Sequence, residues 1–349
     1  MKLALLLVGF GHVARRFVAL LDEMRPALAS LDIDPVVVGI TTRTHGSVFE
    51  AAGLDAVQAA RRRAEGDAIG PVAASLSTLE CLRRLDSQSI ETRVLVETTT
   101  LDIQSGEPAV SHVADALARG VHVITANKGP VAFRYRGLKE LADAHGVSFL
   151  FEGAVMDGIP IFNLVRETLP GATIRGFRGV VNSTTNHILT ALEQGEPFDR
   201  ALARMQADGV AEADPTLDIL GWDAAAKTAA LANVLLDAGT TPRLVAREGI
   251  GPATAGLVRA ARASGKRLKL VGRASRGPSG VDAAVELVQL DPFDPLGSLD
   301  GQGNALELDT WPLGRIVITQ RDGGMEKTAY ALFADLVTVA RRVSSGWRA

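Results

Sequence analysis

Five short apolar runs punctuate the first 150 residues: KLALLLV (2–8), VVVGI (36–40), RVLVETT (93–99), VHVITA (121–126) and VSFLFEGAV (147–155). Short runs of Val, Ile and Leu with little alternation predict strands buried on both faces, as in parallel sheets. Between them apolar positions recur at helical spacing. In residues 107–120, Ala109, Val110, Val113, Leu117 and Ala118 share one face, and Gly120 supplies the stop. Strand alternating with helix predicts an α/β domain, a doubly wound and mostly parallel sheet, over residues 1–150. Helical patterns dominate from about 157 to 240, and strand patterns return at 267–274, 281–290 and 314–320. That order predicts an α+β domain with a mixed sheet over 151–312. A last helical pattern from Glu326 predicts a segment, 313–349, that returns to the first domain. The polar stretch RRRAEGDAIGP (61–71) predicts a surface loop.

Composition narrows the picture further. With 349 residues, 47% of them hydrophobic, the chain can bury two cores. No apolar run approaches the roughly 18 residues that a membrane span needs, so no membrane partner is expected. The opening MKLALLLVGF has one early lysine and an apolar run, but the glycine turn and arginines after it fit a buried first strand better than a signal peptide. Cys81 is the only cysteine, which forbids an intramolecular disulfide and a thiol-rich metal site; a reducing cytoplasm is the expected compartment. A net charge of −3 gives no electrostatic case for nucleic acid or an anionic membrane surface.

Three regions carry candidate chemistry. The first strand runs straight into Gly9-Phe10-Gly11-His12-Val13-Ala14, a G-x-G-x-x-A turn before a helical run. Such a turn sets backbone amides and a helix N-terminus against a pyrophosphate, and Ala14 suffices as the small third member. The Rossmann-type reading thus comes with a nicotinamide dinucleotide. The acid expected to hold the adenosine ribose after the second strand is missing. Thr41, Thr42 and Arg43 stand there instead and suit a 2′-phosphate, favouring NADP over NAD, which remains an alternative. Lys128, in TANKGP, lies just past the C-terminal end of a predicted parallel strand, the edge where open α/β sheets bind ligands. Asn182–Asn186, with Thr184 among them, fall at a strand-to-helix junction. The stretch 211–231 gathers Glu212, Asp214, Asp218 and Asp223 ahead of Lys227. Alone, Asp223 and Lys227 are equally a plain i,i+4 helix ion pair.

Together these stretches resemble homoserine dehydrogenase. The glycine loop, Thr125-x-Asn127-Lys128, Glu152-Gly-Ala-Val155-Met-Asp-Gly158-Ile-Pro160-Ile161, Asn182-Ser-Thr184-Thr-Asn186-His-Ile-Leu, and Glu212-Ala-Asp214-Pro…Asp218…Gly221-Trp-Asp223-x-x-x-Lys227 follow the family's order, and the likeness runs from residue 1 to about 340. The likeness is to the short form of that family, in which neither a fused aspartokinase nor an ACT domain is expected. The resemblance implies an oxidoreductase of threonine and methionine biosynthesis that interconverts L-homoserine and L-aspartate 4-semialdehyde with NAD(P)(H), a small amino-acid substrate and a homodimer. By the same resemblance Glu212, Asp223 and Thr184 bind substrate, and Lys128 and Lys227 transfer the proton. Gly9–Val13, Arg43, Thr98, Thr99, Lys128 and Gly324 lie at the cofactor. The main-chain oxygens of Glu152, Val155, Asp157 and Ile159 hold a monovalent cation, Na or K.

The chain departs from that family at Ser183, where a glycine is usual, and at Asp157, where a small residue is usual; either is expected to narrow the pocket. The family's late G-x-G-A-G loop aligns with Gln320-Arg321-Asp322-Gly323-Gly324, keeping only the last glycine in register. Long side chains there would crowd the nicotinamide end. These departures leave open a related amino-acid alcohol or semialdehyde as substrate, or a catalytically silent cofactor-binding homologue.

Overall fold

A computed structural model of the chain describes residues 1–207, 214–278, 280–322 and 324–346. The chain divides into two compact units, one of Met1–Pro160 with the segment from Gly324 on, the other Ile161–Gly323.

In the first unit six strands form one sheet: β1 (Lys2–Val8), β2 (Asp34–Thr41), β3 (Ser47–Phe49), β4 (Thr92–Glu97), β5 (His122–Thr125) and β6 (Phe149–Leu150), in the order β3-β2-β1-β4-β5-β6. All pairings are parallel except that of β3 on β2. β1 is central and covered on both faces, with Leu3 to Leu7 at 0% exposure, which is why its sequence is apolar without alternation. The order reverses between β1 and β4, so the C-terminal ends of these two strands flank the crevice where a doubly wound sheet takes its ligand.

The C-terminal helix Met325–Ser344 completes this core. Leu332, Leu336 and Val339 are buried against Leu3, Leu5, Leu7 and Phe17 in one cluster, each leucine contributing about 2 kcal/mol by its burial. The return to the first unit thus begins at 324 rather than 313, because residues 314–320 belong to the second sheet. Likewise the first unit extends to 160. The run 147–155 keeps only two residues as strand; at Glu152 the chain enters a 3-10 turn, and the Glu152 amide donates to Asp335 Oδ2 of the C-terminal helix (2.8 Å) instead of a ladder. Residues 61–64 of the expected surface loop close the helix Ala56–Ala64, capped by Asp55.

The second unit holds β7 (Thr173–Val180), β8 (Ala246–Arg247), β9 (Arg267–Gly277), β10 (Gly280–Leu290), β11 (Asn304–Trp311) and β12 (Gly314–Gln320), ordered β12-β11-β7-β9-β10-β8. Only β8 on β10 is parallel, so the sheet is mixed as expected. Gly272 faces the helix Trp222–Leu236 so closely that a Cβ would come 2.3 Å from the Thr228 hydroxyl. By register, Arg178 and Arg273 point to the opposite face, where Arg178 pairs with Glu307 (2.8 Å) and Arg273 with Glu286 (2.8 Å). The loop after β10 covers part of that face, packing Leu296 and Leu299 on Val180, Val271 and Ala305.

Candidate active site

The glycine turn sits where the sheet order reverses. Gly9 has φ +85°, and a Cβ there would lie 2.8 Å from the Thr98 carbonyl carbon and oxygen, so only glycine lets β1 and β4 end side by side. The Thr98 hydroxyl lies within 3.1 Å of the Gly9 carbonyl and fixes the same contact. Gly11 is exposed with no atom within 4 Å of an added Cβ. It stands at the N-cap of the helix His12–Glu23, where no side chain caps the first-turn amides. Ala14 is fully buried beneath the turn. Open space over uncapped amides is what a pyrophosphate requires, so the residues present fit a dinucleotide.

At the end of β2 the expected cluster is rearranged. Thr41 is buried and its hydroxyl donates to the Leu76 carbonyl, while Thr42 Oγ1 donates to the Gly46 carbonyl and accepts from the His45 amide. Both hydroxyls are therefore committed to backbone carbonyls, which leaves Arg43 exposed as the group able to meet a phosphate. A second cation joins the same turn: Arg63 Nη2 donates to His45 Nε2 at 2.7 Å. Sequence reading missed it, for Arg63 lies twenty residues from Arg43 in a basic stretch resembling a solvated helix end.

Lys128 opens the helix Lys128–Ala144 beyond β5. The preceding Asn127 caps that helix by accepting from the Gly129 amide (2.8 Å).

In the second unit Asn182 is the organiser. It follows β7, caps the helix Ser183–Glu193 through the Thr185 amide (2.8 Å), and its Nδ2 donates to Asp218 Oδ1 (2.7 Å) and Asp223 Oδ2 (2.8 Å). Lys227 Nζ lies 3.0 Å from Asp223 Oδ2 and donates to the Val181 carbonyl (2.8 Å). The i,i+4 ion pair is thus real, but it is drawn into a cluster that also holds Asn182 and Asp218. Gly221, φ +75°, begins this helix where a Cβ would meet the Glu248 carbonyl at 2.3 Å, which explains the glycine two residues before Asp223. Thr184 is buried in the capped turn. Glu212 falls outside the described residues.

The departures from the family have partners of their own. Ser183 Oγ accepts from Asn304 Nδ2 at 2.9 Å. Behind it, Lys269 is completely buried and its Nζ donates to Asn186 Oδ1 and the Leu299 carbonyl; burial, with the Arg267 guanidinium nearby, pulls its pKa down to about 8. Asp157 and Met156 both have positive φ, near +58° and +54°, and Asp157 Oδ2 accepts from the Gly324 amide (3.1 Å) at the start of the C-terminal helix. Two departures thus meet, the unusual aspartate holding the one late glycine still in register. Gln320 itself is the last residue of β12, paired with Asn304 in the sheet.

A doubly wound sheet with an uncapped glycine turn, in a chain whose second unit gathers two carboxylates and a lysine around Asn182, defines a nicotinamide-dinucleotide-dependent dehydrogenase. The family model described as "Homoserine dehydrogenase, NAD binding domain" matches residues 9–152, and that described as "Homoserine dehydrogenase" matches 160–337. The chain is 37% identical to the NAD(+)-dependent homoserine dehydrogenase of Pseudomonas canavaninivorans, over 96% of this chain and 95% of that one. It is 32% identical to the homoserine dehydrogenase of Methanocaldococcus jannaschii, over 96% and 98%. A crystal structure of a homoserine dehydrogenase from Thiobacillus denitrificans superposes with a TM-score of 0.82 at 30% identity, covering 99% of this chain and 74% of that one. The chain belongs to the homoserine dehydrogenase family.

The double role of Asn182 is separable. Asn182→Ala removes the helix cap and the amide donor together and should lower stability in urea unfolding by about 1–2 kcal/mol. Asn182→Asp keeps a cap acceptor but sets a third carboxylate against Asp218 and Asp223. Its KM for the amino-acid substrate should rise while that for the cofactor stays put, and an unchanged substrate KM would mean that the two carboxylates are held by other contacts.

Proposed function

We propose that the chain interconverts L-homoserine and L-aspartate 4-semialdehyde with NADP(H) in preference to NAD(H). The observation that carries the reading is the Asn182–Asp218–Asp223–Lys227 cluster in a chain of this family. A zwitterionic amino acid needs an anion for its ammonium and donors around its hydroxyl oxygen. Asp223, with Glu212, supplies the negative charge, and Thr184 adds a hydroxyl. Lys227, already paired with Asp223 as an ammonium, can give a proton to the C4 oxygen when aldehyde is reduced and take it back when alcohol is oxidised. Lys128, on the first unit's strand-end turn, is the other candidate for that proton. The bound nicotinamide supplies the hydride acceptor in one direction and the donor in the other.

Gly9–Val13, Thr98, Thr99 and Gly324 are assigned to the cofactor. The main-chain oxygens of Glu152, Val155, Asp157 and Ile159 are assigned to a monovalent cation, supported by the consecutive positive-φ residues that turn this backbone. No helix among the described residues is long and apolar enough to cross a membrane, and we place the protein in the cytoplasm.

Formation of NADPH from L-homoserine, followed by absorbance, tests the activity; no turnover would shift the reading to a related amino-acid alcohol or to a silent homologue. Lys128→Met and Lys227→Met should each lower kcat by roughly 10²–10⁴-fold without a matching loss of thermal stability. Either variant with wild-type turnover would make that lysine structural.

Cofactor preference rests on the turn after β2. Arg43→Ala should weaken NADP binding by about 1.5–3 kcal/mol and leave NAD nearly unchanged, with Arg63→Ala acting in the same direction. Equal wild-type dissociation constants for the two cofactors would remove the preference.

The face of the second sheet opposite the helix Trp222–Leu236, lined by Arg178, Arg273, Glu286 and Glu307 and bordered by the exposed Trp311, Leu313 and Val317, supports a homodimer through that sheet. Charges of both signs on one face can meet their opposites across a two-fold axis. Light scattering at micromolar concentration should give about twice the 36.7 kDa chain mass, and a monomer mass would overturn the assignment.

A further inference from the structure

A carboxylate that the chemistry above does not use lies beneath the cofactor edge. Glu97, the last residue of β4, is 0% exposed. Its Oε1 accepts from the Thr99 amide (3.1 Å) and from the Thr99 hydroxyl, and its Oε2 accepts from the Thr125 hydroxyl (3.2 Å). His112 faces it from the helix Ala109–Leu117, with Nδ1 3.8 Å from Oε1. The two threonines carry the bonding onward: Asn127 Nδ2 donates to the Thr99 carbonyl (2.9 Å) and hydroxyl oxygen (3.3 Å), and the Asn127 amide donates to Thr125 Oγ1 (2.9 Å). Glu97, Thr99, Asn127 and Thr125 therefore close a ring that joins the ends of β4 and β5.

The ring has a direction. A carboxylate accepts only, so the Thr99 hydroxyl points its proton at Oε1, while the Thr125 hydroxyl shares its proton between Oε2 and the Glu97 backbone carbonyl (3.0 Å); both threonines offer lone pairs to Asn127. Asn127 turns its NH2 toward the Thr99 carbonyl and the lone pair that Glu97 leaves on the Thr99 hydroxyl, and its oxygen toward the Gly129 amide, which fixes the first turn of the helix that Lys128 opens. Joining β4 to β5 does not need this, since their backbone ladder already does so. Burying a carboxylate is costly, and besides the facing His112 the hydrogen bonds that offset the cost go to Thr99 and Thr125, where β4 and β5 reach the ligand edge.

We propose that Glu97 is a positioning residue for Lys128, acting through Thr99, Thr125 and Asn127. This rests on the catalytic reading of Lys128. Methionine at 97 fills similar space but accepts nothing. Glutamine, with its oxygen toward Thr99 and its NH2 donating to Thr125 Oγ1, can close the ring again. Hydrogen exchange of the whole enzyme over residues 125–130 should be at least 10-fold faster in Glu97→Met and return close to wild type in Glu97→Gln. In the same pair, kcat should fall at least 10-fold and then recover to within about threefold. Combined with Lys128→Met, Glu97→Met should cost no more than about twofold further. Unchanged exchange in Glu97→Met, or an undiminished kcat loss in the Lys128→Met background, would overturn the proposal. Faster exchange together with a fully active Lys128→Met would instead sink the catalytic reading of Lys128, and with it the positioning role.

Discussion

The contact on which the first unit depends is the approach of Gly9 to the backbone of Thr98. With a Cβ at residue 9 only 2.8 Å from the Thr98 carbonyl, β1 and β4 could not end together at the point where the strand order reverses. The crevice, the uncapped amides of the helix His12–Glu23 and the exposed Gly11 all follow from that approach. The glycine turn is thus a packing requirement between two strands as much as a shape for a ligand, and one residue satisfies both.

An asparagine at a helix start organises chemistry in each unit. Asn127 and Asn182 both use their oxygen to cap a helix and their NH2 to hold other side chains, Thr99 in one case and the carboxylates of Asp218 and Asp223 in the other. The amide suits this place because it donates and accepts from one rigid plane, so fixing one end aims the other. Aspartate could cap either helix equally well but could not bridge two carboxylates.

Ser183 and Asp157, where the resemblance leads one to expect smaller residues, are bound into the chain's own frame. Ser183 takes the amide of Asn304, and Asp157 takes the backbone of Gly324. A side chain added at a pocket wall narrows the pocket only if it points inward, and hydrogen-bond partners inside each unit give both a different use. The charged face of the second sheet follows a similar logic. Arg178 with Glu307 and Arg273 with Glu286 pair across strands, so the face turned away from the helix Trp222–Leu236 carries charge in matched form.

The amino-acid sequence by itself determined the parallel sheet, the glycine turn and the order of the motifs. Strands buried on both faces must be apolar throughout, and a close βα turn must be built from glycine, so both leave local marks. Strand β11 left none and β7 only its junction with the following helix, because NALELDTW and TIRGFRGV mix Gly, Arg, Glu and Asp, and their pairing is secured by contacts such as Arg178–Glu307, 129 residues apart. The truncation of the 147–155 strand was equally illegible, resting on a bond from Glu152 to Asp335 across 183 residues. Residue types for the site could be read from 211–227, but not that Asn182 draws Asp218, Asp223 and Lys227 into one cluster, nor that Thr41 and Thr42 spend their hydroxyls on the Leu76 and Gly46 carbonyls. Only the tertiary structure decided these. A hydrogen bond is satisfied by whichever partner the fold brings within about 3 Å, and spacing along the chain carries no record of partners met across other strands.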